Sequence, residues 1–212
     1  MTDSTESLIA SLAEGMEPIA PASRPLALFI KWLAGSLAYM AIMLLYFGLR
    51  RDLPLHLHAP LYLAETGLLA CLVVTSGISA VTLSFPDLYQ RRWAVFTPVL
   101  PLLLFLATLY LEWLHDSPPA PEPPHGMDCL LCISMFSVLP AAWLMLLLRR
   151  QASTHYYLAG GIALLAATSI GCLTLRLSED TDSIAHLIKW HYLPMVGFSI
   201  LGLWLGRKLL KW

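Results

Sequence analysis

Two cysteines separated by two residues, Cys129 and Cys132, are the part of this 212-residue sequence best suited to chemistry. A Cys-x-x-Cys pair can bind a metal ion through two thiolates, or it can close into a redox-active disulfide. The spacing alone leaves both uses open. We therefore take both cysteines as candidate sensor residues.

Several histidines lie near the ends of predicted helices, on the same predicted side of the protein as the cysteine pair. Imidazole binds zinc, copper, iron and nickel, so these side chains are candidate metal ligands. They are His56, His58, His125, His186 and His191. The sequence does not show that they converge. We expect no obligatory cofactor, and a metal ion bound at this face is the alternative left open.

Six long apolar stretches must position these residues. Hydrophobic residues make up 58% of the chain, charged residues 13%, and the mean hydropathy is +0.68, which leaves too little polar surface for a soluble globule. Each stretch has about the 20 residues that a bilayer-spanning helix needs, without the alternation typical of a membrane barrel. We expect an all-α, polytopic membrane protein with helices at 26–48, 60–83, 94–113, 129–148, 156–176 and 188–206.

Basic residues near the helix ends predict the orientation, because Lys and Arg resist translocation. With the N-terminus inside, the cytoplasmic segments hold Arg24, Arg91, Arg92, Arg149, Arg150, Arg207, Lys208 and Lys211. The outer segments then hold Arg50, Arg51, Arg176 and Lys189. This bias predicts that both termini are cytoplasmic. A net charge of -1 argues against direct nucleic-acid binding.

Two ionisable residues lie within apolar stretches. Intramembrane charges are functional candidates by default. However, Glu65 lies near the end of its predicted helix, and Lys31 can extend its ammonium group to the cytoplasmic face. We expect a structural role for both rather than a proton relay.

Residues 1–25 form a cytoplasmic segment and tether that precede the transmembrane domain at 26–212. Leu8, Ile9 and Leu12 give one apolar stripe, which predicts a short amphipathic helix ended by Gly15 and Pro18. The acidic residues around this stripe disfavour anionic lipid and favour a groove in a partner protein. A disordered tail is the alternative that the pattern leaves open.

With these features the sequence resembles the NrsF-type membrane anti-sigma factors, named for negative regulation of sigma F. The likeness spans nearly the whole chain. The similar features are Leu8-Ile9-x-x-Leu12-Ala13 followed by Pro18 and Pro21, a cysteine at the start of the fourth span followed by Ser137 and Leu139-Pro140, Arg149-Arg150, Leu158-Ala159-Gly160, and the ending Leu205 to Trp212. That ending is the most specific of them.

The resemblance implies that the N-terminal segment holds an extracytoplasmic-function sigma factor at the bacterial inner membrane until a stress signal releases it. Leu8, Ile9, Leu12 and Ala13 would form the docking face. Family members also carry two outer cysteines associated with sensing oxidants or heavy metals. Cys129 or Cys132 matches the first.

The second cysteine position falls near residues 177–180, which contain no cysteine. This departure puts the inter-loop thiol pair in question. Pairing of Cys129 with Cys132 remains open, as does a different signal, such as a metal ion on the histidines.

Two other classes remain as alternatives to this non-enzymatic regulator. A membrane oxidoreductase subunit using haem or quinone would explain histidines near helix ends, but they are not placed as facing pairs on two helices. A metal or small-solute transporter would also carry outer histidines, but a polar pathway through the bilayer is missing.

Overall fold

The computed structural model describes residues 2–14, 24–86, 92–115, 126–151 and 153–211. Every regular element in these ranges is helical, so the predicted all-α class is confirmed. The elements are α1 (Thr2–Glu14), α2 (Pro25–Phe47), α3 (Leu53–His56), α4 (Pro60–Leu83), a 3-10 turn (Arg92–Phe96), α5 (Val99–His115), α6 (Gly126–Arg149), α7 (Tyr156–Ser178), α8 (Ile184–His186), a π-helical segment (Leu187–Tyr192) and α9 (Leu193–Leu209).

Five of the six predicted spans are long and apolar enough to cross a bilayer. They are Pro25–Phe47, Pro60–Leu83, Trp93–His115, Gly126–Arg149 and Tyr156–Ser178. The sixth, α9, has 17 residues and continues directly from α8 and the π-helical segment. Its role as a span stays a prediction.

Two helix starts differ from the predicted boundaries. Helix α6 begins at Gly126 rather than at residue 129, so Cys129 lies within its first turns. The last helical stretch begins at Ile184 rather than at residue 188, and it contains a π-helical segment that the hydrophobic pattern did not predict. Both differences lie at one end of the bundle, where α2, α5 and α7 finish and α4, α6 and the α8–α9 stretch begin. We call this the predicted outer end.

Helix α7 is the centre of the bundle and packs against α2, α4, α6 and α9. Of its most apolar 18-residue window, 78% is buried. Its small side chains explain this position, since Ala159, Ala163, Ala166 and Ala167 are fully buried and let neighbouring helices approach. The loop after α7 is therefore held between the ends of several helices.

Helices α7 and α9 approach each other closely at Gly160, Gly202 and Gly206. A Cβ atom added to Gly160 would lie 2.6 Å from the Cα of Gly206, and one added to Gly202 would lie 2.9 Å from the Cβ of Leu164. Only glycine fits such backbone contact. The two helices therefore form a tightly packed pair.

Candidate sensing site and N-terminal helix

The start of α6 and the stretch that joins α7 to α9, which are distant in sequence, converge at the predicted outer end. Cys129 comes from the first turns of α6, Glu179 from the loop directly after α7, and His186 and His191 from the stretch that leads into α9. Because α6 and α9 both pack against α7, their ends lie beside the loop that α7 enters. We call Cys129, Glu179, His186 and His191 the Cys-Glu-His cluster.

The side chains of the Cys-Glu-His cluster are in mutual contact. The Sγ of Cys129 lies 3.4 Å from Oε1 of Glu179 and 3.3 Å from Nε2 of His186. The Nε2 of His191 lies 3.4 Å from Oε2 of Glu179. One ligand atom from each residue falls within 4.8 Å of the other three. The ligand atoms of the thiol, the carboxylate and the two imidazoles thus form one compact group.

Burial and mutual contacts together set the electrostatics of this cluster. Cys129 is 3% exposed, His186 is fully buried and His191 is 1% exposed. Burial raises the pKa of Glu179, but the neighbouring His191 imidazole and the Thr181 hydroxyl outweigh it and lower that pKa to about 2. Thr181 donates a 2.6 Å hydrogen bond to the carboxylate. Glu179 is therefore ionised at neutral pH.

The π-helical segment explains how His186 and His191 come to lie side by side. Residues five apart in an α-helix point about 140° apart around the axis. A π-helical turn, in which hydrogen bonds join residues i and i+5, brings such residues together. The two imidazole rings are 5.5 Å apart between centroids. Short π-helical turns occur often at functional sites.

His56 lies in a second polar group, built around Arg50 and separate from the Cys-Glu-His cluster. The Arg50 side chain is fully buried and donates to Asp52 at 2.6 Å and to Asp182 at 3.1 Å. His56 lies 3.2 Å from Asp182. Hydrogen bonds from Arg50 lower the pKa of Asp52 to about 2. We call Arg50, Asp52, His56 and Asp182 the Arg50 network.

The remaining predicted site residues lie elsewhere. Cys132 is half-buried and does not belong to either metal-competent group of described side chains, and His58 is exposed just before α4. His125 falls outside the described residues. No disulfide joins any of the four cysteines, all of which lie in the described ranges. Cys172, in α7, is buried and donates to the backbone oxygen of His191 at 3.3 Å.

Sequence reasoning missed Glu179 as a site residue. An acidic residue in an outer loop carries no signal of its own, because carboxylates are common there. The available clue was positional, since the family resemblance implied a second sensor position near residues 177–180. The structure places Glu179 from this stretch against Cys129.

Helix α1 carries the residues predicted to dock a partner. Leu8, Ile9 and Leu12 are 58%, 60% and 63% exposed, and Ala13 is also exposed. Three large apolar side chains open to solvent on a 13-residue helix are unusual for an isolated surface element. The docking role of this stripe stays a prediction.

Comparisons with known proteins match almost the entire chain. The sequence model of the family described as negative regulator of sigma F matches residues 12–212. A protein of Azospira oryzae described as a probable anti-sigma-F factor NrsF is 28% identical over 214 residues, covering 98% of this chain and 99% of that protein. No solved structure matches.

Proposed function

This chain belongs to the NrsF family, the negative regulators of sigma F, and we propose that it holds an extracytoplasmic-function sigma factor at the bacterial inner membrane. In this proposal α1 binds the sigma factor in the cytoplasm and the bundle anchors it away from RNA polymerase. An oxidant or metal signal at the outer face releases it. No step of this scheme requires catalysis.

The exposed stripe on α1 carries the proposal. Leu8, Ile9 and Leu12 remain more than half exposed although they are large and apolar. An amphipathic helix with such a stripe docks into a hydrophobic groove of another protein, where burial supplies the binding energy. The match to the family begins at residue 12, so the docking residues before it depend on this exposure and on the longer alignment with the relative.

Membrane insertion with six spans is supported by the surface of the bundle. Large apolar side chains such as Leu45, Leu100, Leu131 and Ile200 are exposed along different helices. A soluble protein rarely exposes apolar surface all round its circumference. We propose that α9, extended by the preceding helical residues, is the sixth span.

Cytoplasmic termini are supported by the number of basic residues at each end of the bundle, which counts Lys and Arg whatever carboxylates lie beside them. At the predicted outer end, Arg50 and Arg176 are buried in ion pairs with Asp52 and Glu65. The basic residues near the other end are more numerous, and Arg149, Arg150, Arg207 and Lys208 among them are exposed.

Signal release in this proposal is a shift between sigma-holding and sigma-releasing states. A ligand or oxidant can drive such a shift only through a different affinity for the two states. Cys129 and Cys132 are the proposed sensor residues, and the Cys-Glu-His cluster joins Cys129 to both α7 and the stretch leading into α9. A structural change in this cluster therefore acts on both helices of the tightly packed pair, α7 and α9.

Co-purification from detergent-solubilised membranes tests the proposal. The full chain is compared with a version lacking residues 1–20, under reducing and metal-free conditions. We expect a sigma factor to be recovered with the full chain alone. Equal recovery with both versions would contradict docking through α1, and recovery with neither would contradict sigma-factor binding.

A further inference from the structure

The Cys-Glu-His cluster presents the donor atoms that borderline transition metals prefer. One thiol sulfur, one carboxylate oxygen and two imidazole nitrogens match the ligand types of zinc sites in proteins. Calcium and magnesium require mostly oxygen ligands, so this donor set disfavours them. The chemistry of the four side chains therefore selects one class of cation.

The distances between these donor atoms also fit a tetrahedral metal site. With zinc–ligand bonds of 2.0–2.3 Å, the edges of a regular tetrahedron measure about 3.3–3.8 Å. Cys129 Sγ lies 3.5 Å from Oε2 of Glu179 and 3.3 Å from Nε2 of His186, and the same Oε2 lies 3.4 Å from Nε2 of His191. Three contacts between four residues thus lie near the edge length that the ion would impose.

His191 gives an independent indication of a ligand. It is 1% exposed, and neither of its ring nitrogens makes a hydrogen bond of normal geometry with a described residue, although Nε2 lies within ion-pair distance of Glu179. Buried polar atoms are normally hydrogen-bonded, because an unsatisfied group loses its hydration without compensation. Its Nε2 faces the other donors at 3.4 Å from Glu179, where a metal ion would satisfy it.

The Arg50 network is a useful comparison, because there an arginine side chain occupies the position that a metal ion could take. Asp52, His56 and Asp182 could also be arranged around a metal ion. However, the guanidinium of Arg50 binds both carboxylates and supplies the positive charge there. The Cys-Glu-His cluster contains no lysine or arginine of its own.

We propose that Cys129, Glu179, His186 and His191 form a four-coordinate site for a divalent transition-metal ion of the zinc type. Binding releases the thiol proton of Cys129 to solvent, so that one thiolate, one carboxylate and two neutral imidazoles balance a doubly charged ion. The site is then electrically neutral, as a buried position requires. The ion joins α6, the loop after α7 and the π-helical segment.

The test is metal binding by the purified full chain in detergent, without a sigma factor. The protein is stripped with a chelator under reducing conditions and titrated with zinc against a chromogenic competitor, and bound zinc is counted by mass spectrometry. We expect one zinc per chain. With cobalt in place of zinc, we expect a thiolate-to-metal charge-transfer band together with the visible bands of tetrahedral cobalt.

Matched substitutions locate the site. Cys129→Ser and His191→Gln should weaken zinc binding by more than about 100-fold, because loss of a direct ligand exceeds the 10–100-fold cost of losing an outer-shell partner. Cys71→Ser, at an exposed cysteine of α4, and His56→Gln, in the Arg50 network, should bind zinc as the unmodified chain does. Monodispersity in size-exclusion chromatography checks that each variant is folded.

Three results would overturn the proposal: absence of bound zinc, a cobalt complex without a thiolate band, or unchanged affinity in Cys129→Ser. The cobalt spectrum uses only the unmodified chain, so it decides the matter even if a variant fails to fold. None of these measurements involves sigma-factor recovery. Failure of the metal site and failure of the anti-sigma proposal are therefore distinguishable.

Discussion

Glu65 of α4 and Arg176 of α7 form a buried ion pair near the predicted outer end of the bundle. The Nε of Arg176 lies 3.0 Å from Oε2 of Glu65, and the Glu65 side chain is fully buried. The hydroxyl of Tyr192, from the π-helical segment, donates to the same carboxylate. Arg176 also donates to the backbone of Thr181 at 2.8 Å. This pair therefore connects α4 and α7 to the loop after α7 and to the π-helical segment that carries His191.

Removing one member of the pair should destabilise the bundle. Glu65→Leu leaves the guanidinium of Arg176 buried without this partner, and we expect the free energy of unfolding to fall by about 3 kcal/mol. This value is at the lower end for breaking a buried pair, because Arg176 keeps its contact with Asp182. The double variant Glu65→Leu with Arg176→Met should recover most of that loss. Thermal unfolding in detergent measures both. A double variant less stable than the single one would contradict this account.

A charge in the exposed stripe of α1 should abolish binding of the sigma factor. Leu8→Asp removes a large apolar contact and places a carboxylate where burial is needed. Ser7→Asp introduces the same charge on the opposite face of the helix and should leave binding unchanged. Recovery of sigma factor from solubilised membranes compares them. Equal recovery with both variants would assign docking to another surface.

Adding a methyl group in the glycine contact between α7 and α9 should loosen that pair. Gly160→Ala forces its Cβ against the backbone of Gly206, and we expect a loss of about 1–3 kcal/mol. Gly197→Ala, on the same helix as Gly206, meets nothing within 4 Å and should stabilise α9 by up to about 1 kcal/mol. Opposite shifts in melting temperature are expected. A neutral Gly160→Ala would argue against close contact there.

The proposed orientation can be measured with reporter fusions. Alkaline phosphatase, which is active only outside the cytoplasm, should be active when fused after Ala120 and inactive when fused after Gln151. A fluorescent protein that matures only in the cytoplasm should show the reverse pattern. Activity of the phosphatase at both positions would contradict the proposed number of crossings.

The helical class and the order of the spans could be predicted from the sequence because both depend on local composition. Apolar runs of bilayer length form helices wherever they occur, and the predicted bounds of α2, α4 and α7 agree with the structure to within a few residues. The π-helical segment could not be predicted, since its residues are compatible with an ordinary α-helix. The wider turn, with hydrogen bonds between residues i and i+5, depends on the packing of the folded protein.

The composition of the Cys-Glu-His cluster was predictable only in part. Cys129, His186 and His191 were recognised by residue type, but their convergence depends on helices packed around α7 and not on spacing. His56 has the same chemistry as His191, yet it lies beside a buried arginine. Residue type identified candidate ligands, and tertiary contacts decided which of them meet.

The π-helical segment makes the last helical stretch equivalent to an α-helix with one residue inserted between His186 and Leu193. Deleting one residue from Leu187–Tyr192 would restore a uniform α-helical register. The helical residues that precede the deleted position would then rotate by about 100° around the helix axis relative to α9. His186 would leave the thiol of Cys129, while the glycine contact of α9 with α7 would keep its register. The one extra residue therefore rotates the part of the helix that carries His186 relative to α9. This rotation brings His186 to Cys129 without changing how α9 packs on α7.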